Sequence, residues 1–205
     1  MATAIEQGKQ TRTRLMTATV ELIAERGWGA VTTRMAAERA GVRPGVVHYH
    51  FSSVGDLLIE SSLHMARNEF DAVMGQLTGV DGPEGMRRIL SAISAYSAAD
   101  PSTIAMSEMM LAATREERLR TELGTFVARA RAGLTEWFRE QGVTTDPEAT
   151  AAVVLALIDG LILHRLIDPT LGSVDVTGPL LRAAGLTDNE GTSHVRQHEK
   201  TPIED

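Results

Sequence analysis

The chain has 205 residues, 43% hydrophobic and 23% charged, an ordinary balance for a soluble protein long enough to bury its own core. It contains no cysteine, which excludes disulfides, thiolate nucleophiles and cysteine-ligated zinc. The net charge of −7 disfavours indiscriminate binding to nucleic acid, yet residues 1–52 carry seven basic against four acidic side chains, so the acidic excess lies in the remainder. Salt screens distant charge within about 10 Å at 0.1 M, so a basic end on an acidic body is compatible with DNA binding by that end.

Taken in chain order, nearly every segment reads as helix. Alternating β-branched runs are scarce, and the chain has only eight aromatic residues. No apolar run follows the basic residues near the N-terminus, so no secretory signal is expected there and the cytoplasm is the expected location. Residues 1–8 are expected to be disordered. Residues 9–26 place Leu15, Ala18, Leu22 and Ile23 at the three-to-four spacing of an amphipathic helix. Gly27 follows where a left-handed C-terminal residue belongs. Thr32 or Thr33 caps a second, short helix that runs to Ala40. Gly41 turns the chain, and Pro44 suits the first turn of a third helix that ends near Phe51.

Ser52 or Ser53 caps a fourth helix, with Asp56 near its positive end, and this helix runs to Leu77. A glycine-containing loop leads to Pro83. From there Met86, Ile89, Leu90, Ile93 and Tyr96 form one stripe up to Ser97. Asp100-Pro101 opens a short helix carrying Met106, Met109 and Met110. A long helix follows over residues 116–141, with Leu119, Leu123, Phe126, Leu134, Trp137 and Phe138 along it. Asp146-Pro147 opens the next, which is apolar nearly all round as far as Ile167 and therefore needs cover on both sides. Its stretch 149–167 is interrupted by Asp159, His164 and Arg165, so a buried helix is expected rather than a membrane span. A short amphipathic piece lies around residues 180–184. Residues 187–205 are polar and aperiodic and are expected to form a disordered tail.

The segment most informative about function is TTRMAAERAGVRPGVVHYHF, residues 32–51. Two short helices separated by a glycine turn form a helix-turn-helix, whose second helix enters the major groove by its N-terminal end. Ala37 and Ala40 are small where the helices cross, and Val42 and Val47 plug the space between them. Arg43 can bond a guanine edge or a phosphate, Val46 can touch a thymine methyl, and Gly45 permits close backbone approach.

With these residues the sequence resembles the TetR family of regulators. The resemblance runs from Arg12 to Leu58 through RLMTATVELIAERGW, TTRxxAxxAGV, PGVVHYHF and DLL, with a further echo in LALIDGL before Asp168-Pro169. It implies an all-α chain in which a three-helix head, residues 1–52, precedes a helical effector-binding and dimerisation domain, residues 53–186. It implies a repressor that binds double-stranded operator DNA and is released by a small-molecule effector of unidentified structure. Homodimerisation is implied through the helices at 116–141 and 147–167. Thr32 and Thr33 correspond to capping and phosphate-contacting positions, and Gly45, Val46, His48, Tyr49 and His50 to the recognition helix. Two departures stand out. Val54 replaces a phosphate-gripping lysine common in relatives, so that contact is either missing or moved to Arg12, Arg14 or Lys9. Ala36 also stands where a larger Ile or Leu is usual, and Met35 where a polar residue is usual. The expected DNA-binding set is thus Arg12, Arg14, Thr32, Thr33, Arg34, Arg43, Gly45, Val46, His48, Tyr49 and His50.

Simpler roles compete at several of these residues. Phe51 reads as core and Tyr49 as a DNA contact. The pair His48 and His50 supplies too few ligands for a metal, and no metal or cofactor is expected. Methionines fill gaps by default. Met106, Met109 and Met110 together also suit an apolar pocket, and Met86, Leu90, Tyr96, Phe126 and Trp137 complete the expected ligand-binding set. Asp159 and His164 each need a partner if buried, for which a structural hydrogen bond, possible across a dimer, is expected before a ligand contact. No phosphate loop, nucleophile elbow or HExxH is present, so no enzyme is expected. The alternative from another class is an all-α small-molecule-binding protein or enzyme with an incidental helix-turn-helix.

Overall fold

A computed structural model describes residues 4–94 and 100–186 of the chain. The described residues form helices and turns with no strand. In chain order the helices are α1 (Ala4–Arg26), α2 (Thr33–Arg39), α3 (Pro44–His50), α4 (Val54–Gln76), α5 (Gly82–Ser94), α6 (Pro101–Ala113), α7 (Glu117–Glu140), α8 (Pro147–Ile167) and α9 (Thr177–Ala183). The all-α expectation holds, with a helix-turn-helix head followed by a helical body. Two short 3-10 turns, Trp28–Ala30 and Pro169–Ser173, were not foreseen.

Local chemistry explains most boundaries. Gly27 and Gly41 take φ of +82° and +66°, which a side chain would resist, and so end α1 and turn the chain between α2 and α3. The Thr32 hydroxyl accepts from Met35 N at 3.2 Å, satisfying a donor the helix start leaves unpaired. Ser53, Asp100 and Asp146 cap α4, α6 and α8 in the same way. One boundary is corrected: α1 begins at Ala4, so residues 4–8 are helical where disorder was expected. The tail at 187–205 and the end of the Met86–Tyr96 stripe lie outside the described residues.

Three apolar clusters hold the chain together. In the head, Leu15, Leu22 and Ile23 of α1 meet Ala36, Ala37, Val47 and Phe51. Ala36 is fully buried, and Met35 is half-buried against the same cluster. This core runs past residue 52: Leu57, Leu58 and Met65 of α4 and Ala105 of α6 belong to it. A second cluster joins the middle of α4 to α6 and the first half of α7 through Ile59, Leu63, Met109 and Leu119. The third packs the end of α4 with α5, α7, α8 and α9.

Candidate nucleic-acid interface and cavity

Helix α3 stands at the surface. Val47 is fully buried and Phe51 nearly so, which fixes the helix against α1 and α2. Arg43, Gly45, His48 and Tyr49 consequently face solvent, and Val46 and His50 are half-exposed. Tyr49 is 84% exposed, and its ring meets the His50 ring edge-on at 5.0 Å, so its orientation is supported although its face is open. Thr32 and Arg34 are also exposed, and Thr33 is half-exposed at the start of α2. The expected recognition residues of α3 and of the start of α2 are therefore all exposed or half-exposed.

Arg12 is engaged within the chain. Its guanidinium lies 4.7 Å from the centre of the Phe51 ring and is ion-paired with Glu60, which ties α1 to α4. The Arg12 side chain is still 36% exposed, so a phosphate would compete with Glu60 for it. Arg14 is exposed. Arg39 is also engaged internally, with forked bonds to Glu25 at 2.9 and 2.7 Å and one to Glu21 at 3.2 Å. The Arg39 guanidinium holds the Glu25 carboxyl below the usual carboxylate range. Val54 is exposed at the first turn of α4.

A polar contact joins head to body, and an ion pair ties the start of α4 to the start of α7. Trp28 N donates to Glu108 Oε2 of α6 at 3.0 Å. Arg118, at the start of α7, is ion-paired with Asp56, at the start of α4. That pairing, aided by bonds from Ser53, lowers the Asp56 carboxyl below its ordinary range although the residue is buried.

The body contains a cavity of about 160 Å³, walled by α4, α5, α6, α7 and α8. Of the residues expected there, Met106, Met110 and Phe126 line it. Met86, Leu90, Met109 and Trp137 do not, and are corrected to core. Met109 packs with Ile59, Leu63 and Leu119, while Met86 and Leu90 belong to the cluster beneath α9. Trp137 lies over Gly85, where even a Cβ would come within 2.5 Å of the indole. Tyr96 lies outside the described residues. Sequence reasoning missed the contributions of α4 and α8: Phe70, Val73 and Met74 from one, Leu155, Ile158 and Ile162 from the other. Asp159, expected to make a structural hydrogen bond within the chain or across a dimer, lines the cavity and has no hydrogen bond or ion pair to another described residue of its own chain. Burial pushes its carboxyl up to about 6. An ionisable residue inside the most apolar helix was the available signal. Among the described residues no group of three or more His, Cys, Asp or Glu side chains converges as a metal site.

Comparison with known proteins decides the family. Residues 15–60 match the description "Bacterial regulatory proteins, tetR family", and residues 80–187 match "Tetracyclin repressor-like, C-terminal domain". The chain belongs to the TetR family. Among curated relatives, the HTH-type transcriptional regulator BetI of Rhizobium meliloti is 26% identical over 189 residues, covering 90% of this chain and 89% of that one. A putative transcriptional regulator of Streptomyces coelicolor A3(2) superposes with a TM-score of 0.68 at 27% identity, over 85% of this chain and 98% of its own. A putative regulator from Saccharomonospora viridis, solved in complex with choline, shares the fold with a TM-score of 0.71 at 20% identity, over 85% and 96% of the two chains. This TetR-family chain is thus a DNA-binding transcriptional regulator whose relatives are regulators rather than enzymes.

Proposed function

We propose that the protein is a cytoplasmic, homodimeric repressor, released from its operator when a small molecule occupies the cavity in its body. The observation that carries this reading is the double connection between cavity and head. Helix α4 has Leu57 and Leu58 in the head core and Phe70, Val73 and Met74 in the cavity wall, on one continuous helix of 23 residues. Helix α6 turns Met106 and Met110 to the cavity while its Glu108 holds Trp28 of the head. A ligand that fits only one arrangement of α4 and α6 therefore biases the placement of α3, and it shifts the equilibrium by no more than its differential affinity for the two arrangements.

Dimerisation is supported by α8. Its cavity face carries Leu155, Ile158 and Ile162. At about 100° per residue, Val153, Leu157, Gly160 and His164 fall on the opposite side. Val153, Leu157, Leu163 and Ile167 are exposed in the single chain, an apolar surface that needs cover. Arg165 adds a second indication, because its Nε and Nη1 are buried yet find no acceptor among the described residues. By length and composition α8 could also cross a membrane. Its cavity face and its interruption by Asp159, His164 and Arg165 favour the dimer instead. A two-fold dimer would present two α3 helices to half-sites about one DNA turn apart.

The test is binding to the DNA immediately upstream of the protein's own gene against a scrambled duplex, with wild type and Tyr49→Ala. Selective wild-type binding, weakened at least tenfold in the variant, is expected. Equal binding to both duplexes by both proteins would overturn the assignment of α3 as the reading helix.

A further inference from the structure

The walls of the cavity are largely apolar; Ser102 and Thr103 add neutral hydroxyls, and the two charged lining residues have the same sign. Asp159 of α8 and Glu69 of α4 line it, and no described lining residue is basic. Asp159 shares the inward face of α8 with Leu155, Ile158 and Ile162 and lacks a partner among the described residues. A carboxylate placed in apolar surroundings without a counter-charge is costly, which is why its carboxyl holds the proton to about pH 6. The aromatic rings of Phe70 and Phe126 also line the space, packed edge-to-face with centroids 6.1 Å apart. The face of an aromatic ring attracts a cation, more strongly when both are out of water. Met106 and Met110 add flexible, polarisable surface that adapts to an irregular body.

Three ligand classes meet this wall differently. An anion would face two carboxylates and no basic side chain. An uncharged apolar molecule would fill the space but displace water from Asp159 and deepen its desolvation. An organic cation would fill the same space, neutralise Asp159 and lie against the rings. We infer that the cavity selects lipophilic organic cations, a single ammonium-type charge on a compact apolar body, with Asp159 as the counter-ion. This rests on the reading of the cavity as the effector site. The volume suits a compact body, since a cavity of about 150 Å³ admits a benzene ring.

The experiment is calorimetric titration of the full-length protein at pH 8 with three probes of similar size: benzyltrimethylammonium, its uncharged isostere neopentylbenzene, and the anion phenylacetate. The cation is expected to bind at least tenfold more tightly than the isostere, with phenylacetate weakest, and the preference should fall below threefold in Asp159→Asn. Met110→Trp, which fills the cavity, should remove binding of every probe and so place it there. Equal or tighter binding of the isostere or the anion would overturn the cation assignment while leaving the effector cavity standing. A cation preference that survives in Asp159→Asn would overturn the role of that carboxylate. Absence of binding by all three to the wild type would overturn the effector cavity itself, and the inference with it.

Discussion

Replacing Asp159 by asparagine keeps the size of the side chain and removes the charge that the cavity wall resists. In the folded protein burial alone raises this carboxyl from 3.8 to about 6. Because the folded value lies above the unfolded one, the native state holds the proton more tightly. The associated stability is fully present below about pH 4 and is lost as pH rises through about 6. One pH unit of displacement corresponds to about 1.4 kcal/mol, so ionised Asp159 costs the native state on the order of 2–3 kcal/mol at pH 8. The variant lacks that cost. Equilibrium unfolding in urea, at one fixed protein concentration because association shifts the midpoint, should show Asp159→Asn more stable than wild type at pH 8. The two should converge near pH 4. Glu69, the other carboxylate in the wall, is present in both proteins and cancels in the difference. A variant less stable than wild type at pH 8, or a difference independent of pH, would show that a partner stabilises the carboxylate and would refute the argument from desolvation.

Other consequences follow from packing and capping. Leu157 is 41% exposed on the outward face of α8, so Leu157→Arg should leave the protomer folded but convert the dimer to monomer, read by light scattering after size-exclusion chromatography. Gly85→Ala places a Cβ 2.5 Å from Trp137 Cζ2 and should lower stability by about 1–3 kcal/mol in chemical denaturation. Gly75→Ala, in a helix with open space around it, should instead raise stability by about 0.5–1 kcal/mol, so opposite signs are required of the pair. Thr32→Ala removes the cap of α2 and should lower the stability of the folded protein by about 1 kcal/mol, seen as an earlier thermal midpoint.

The head was legible in the sequence because its determinants are local. Gly27 and Gly41 lie where the backbone turns left-handed, Thr32 where a helix start needs an acceptor, and Pro44 where a missing N–H is harmless. Apolar spacing then assigned Val47 and Phe51 inward and left His48 and Tyr49 outward. Even here one tertiary contact intervened: Arg12 reads as an unpaired cation until α4 brings Glu60 beside it and Phe51 beneath it. In the body, spacing named the apolar face of each helix but not the neighbour that covers it. Met106, Met109 and Met110 are equivalent to a sequence pattern; the crossing of α4 and α7 over α6 sends 106 and 110 to the cavity and 109 to the core. Trp137 and Met86 were drawn into the core by the same kind of contact. Asp159 was visible as an ionisable residue inside an apolar helix, and only the convergence of five helices decided that it faces a cavity. Caps and periodicity act over one or two turns and are written in adjacent residues, whereas a cavity is made by side chains distant along the chain whose meeting depends on how the helices cross.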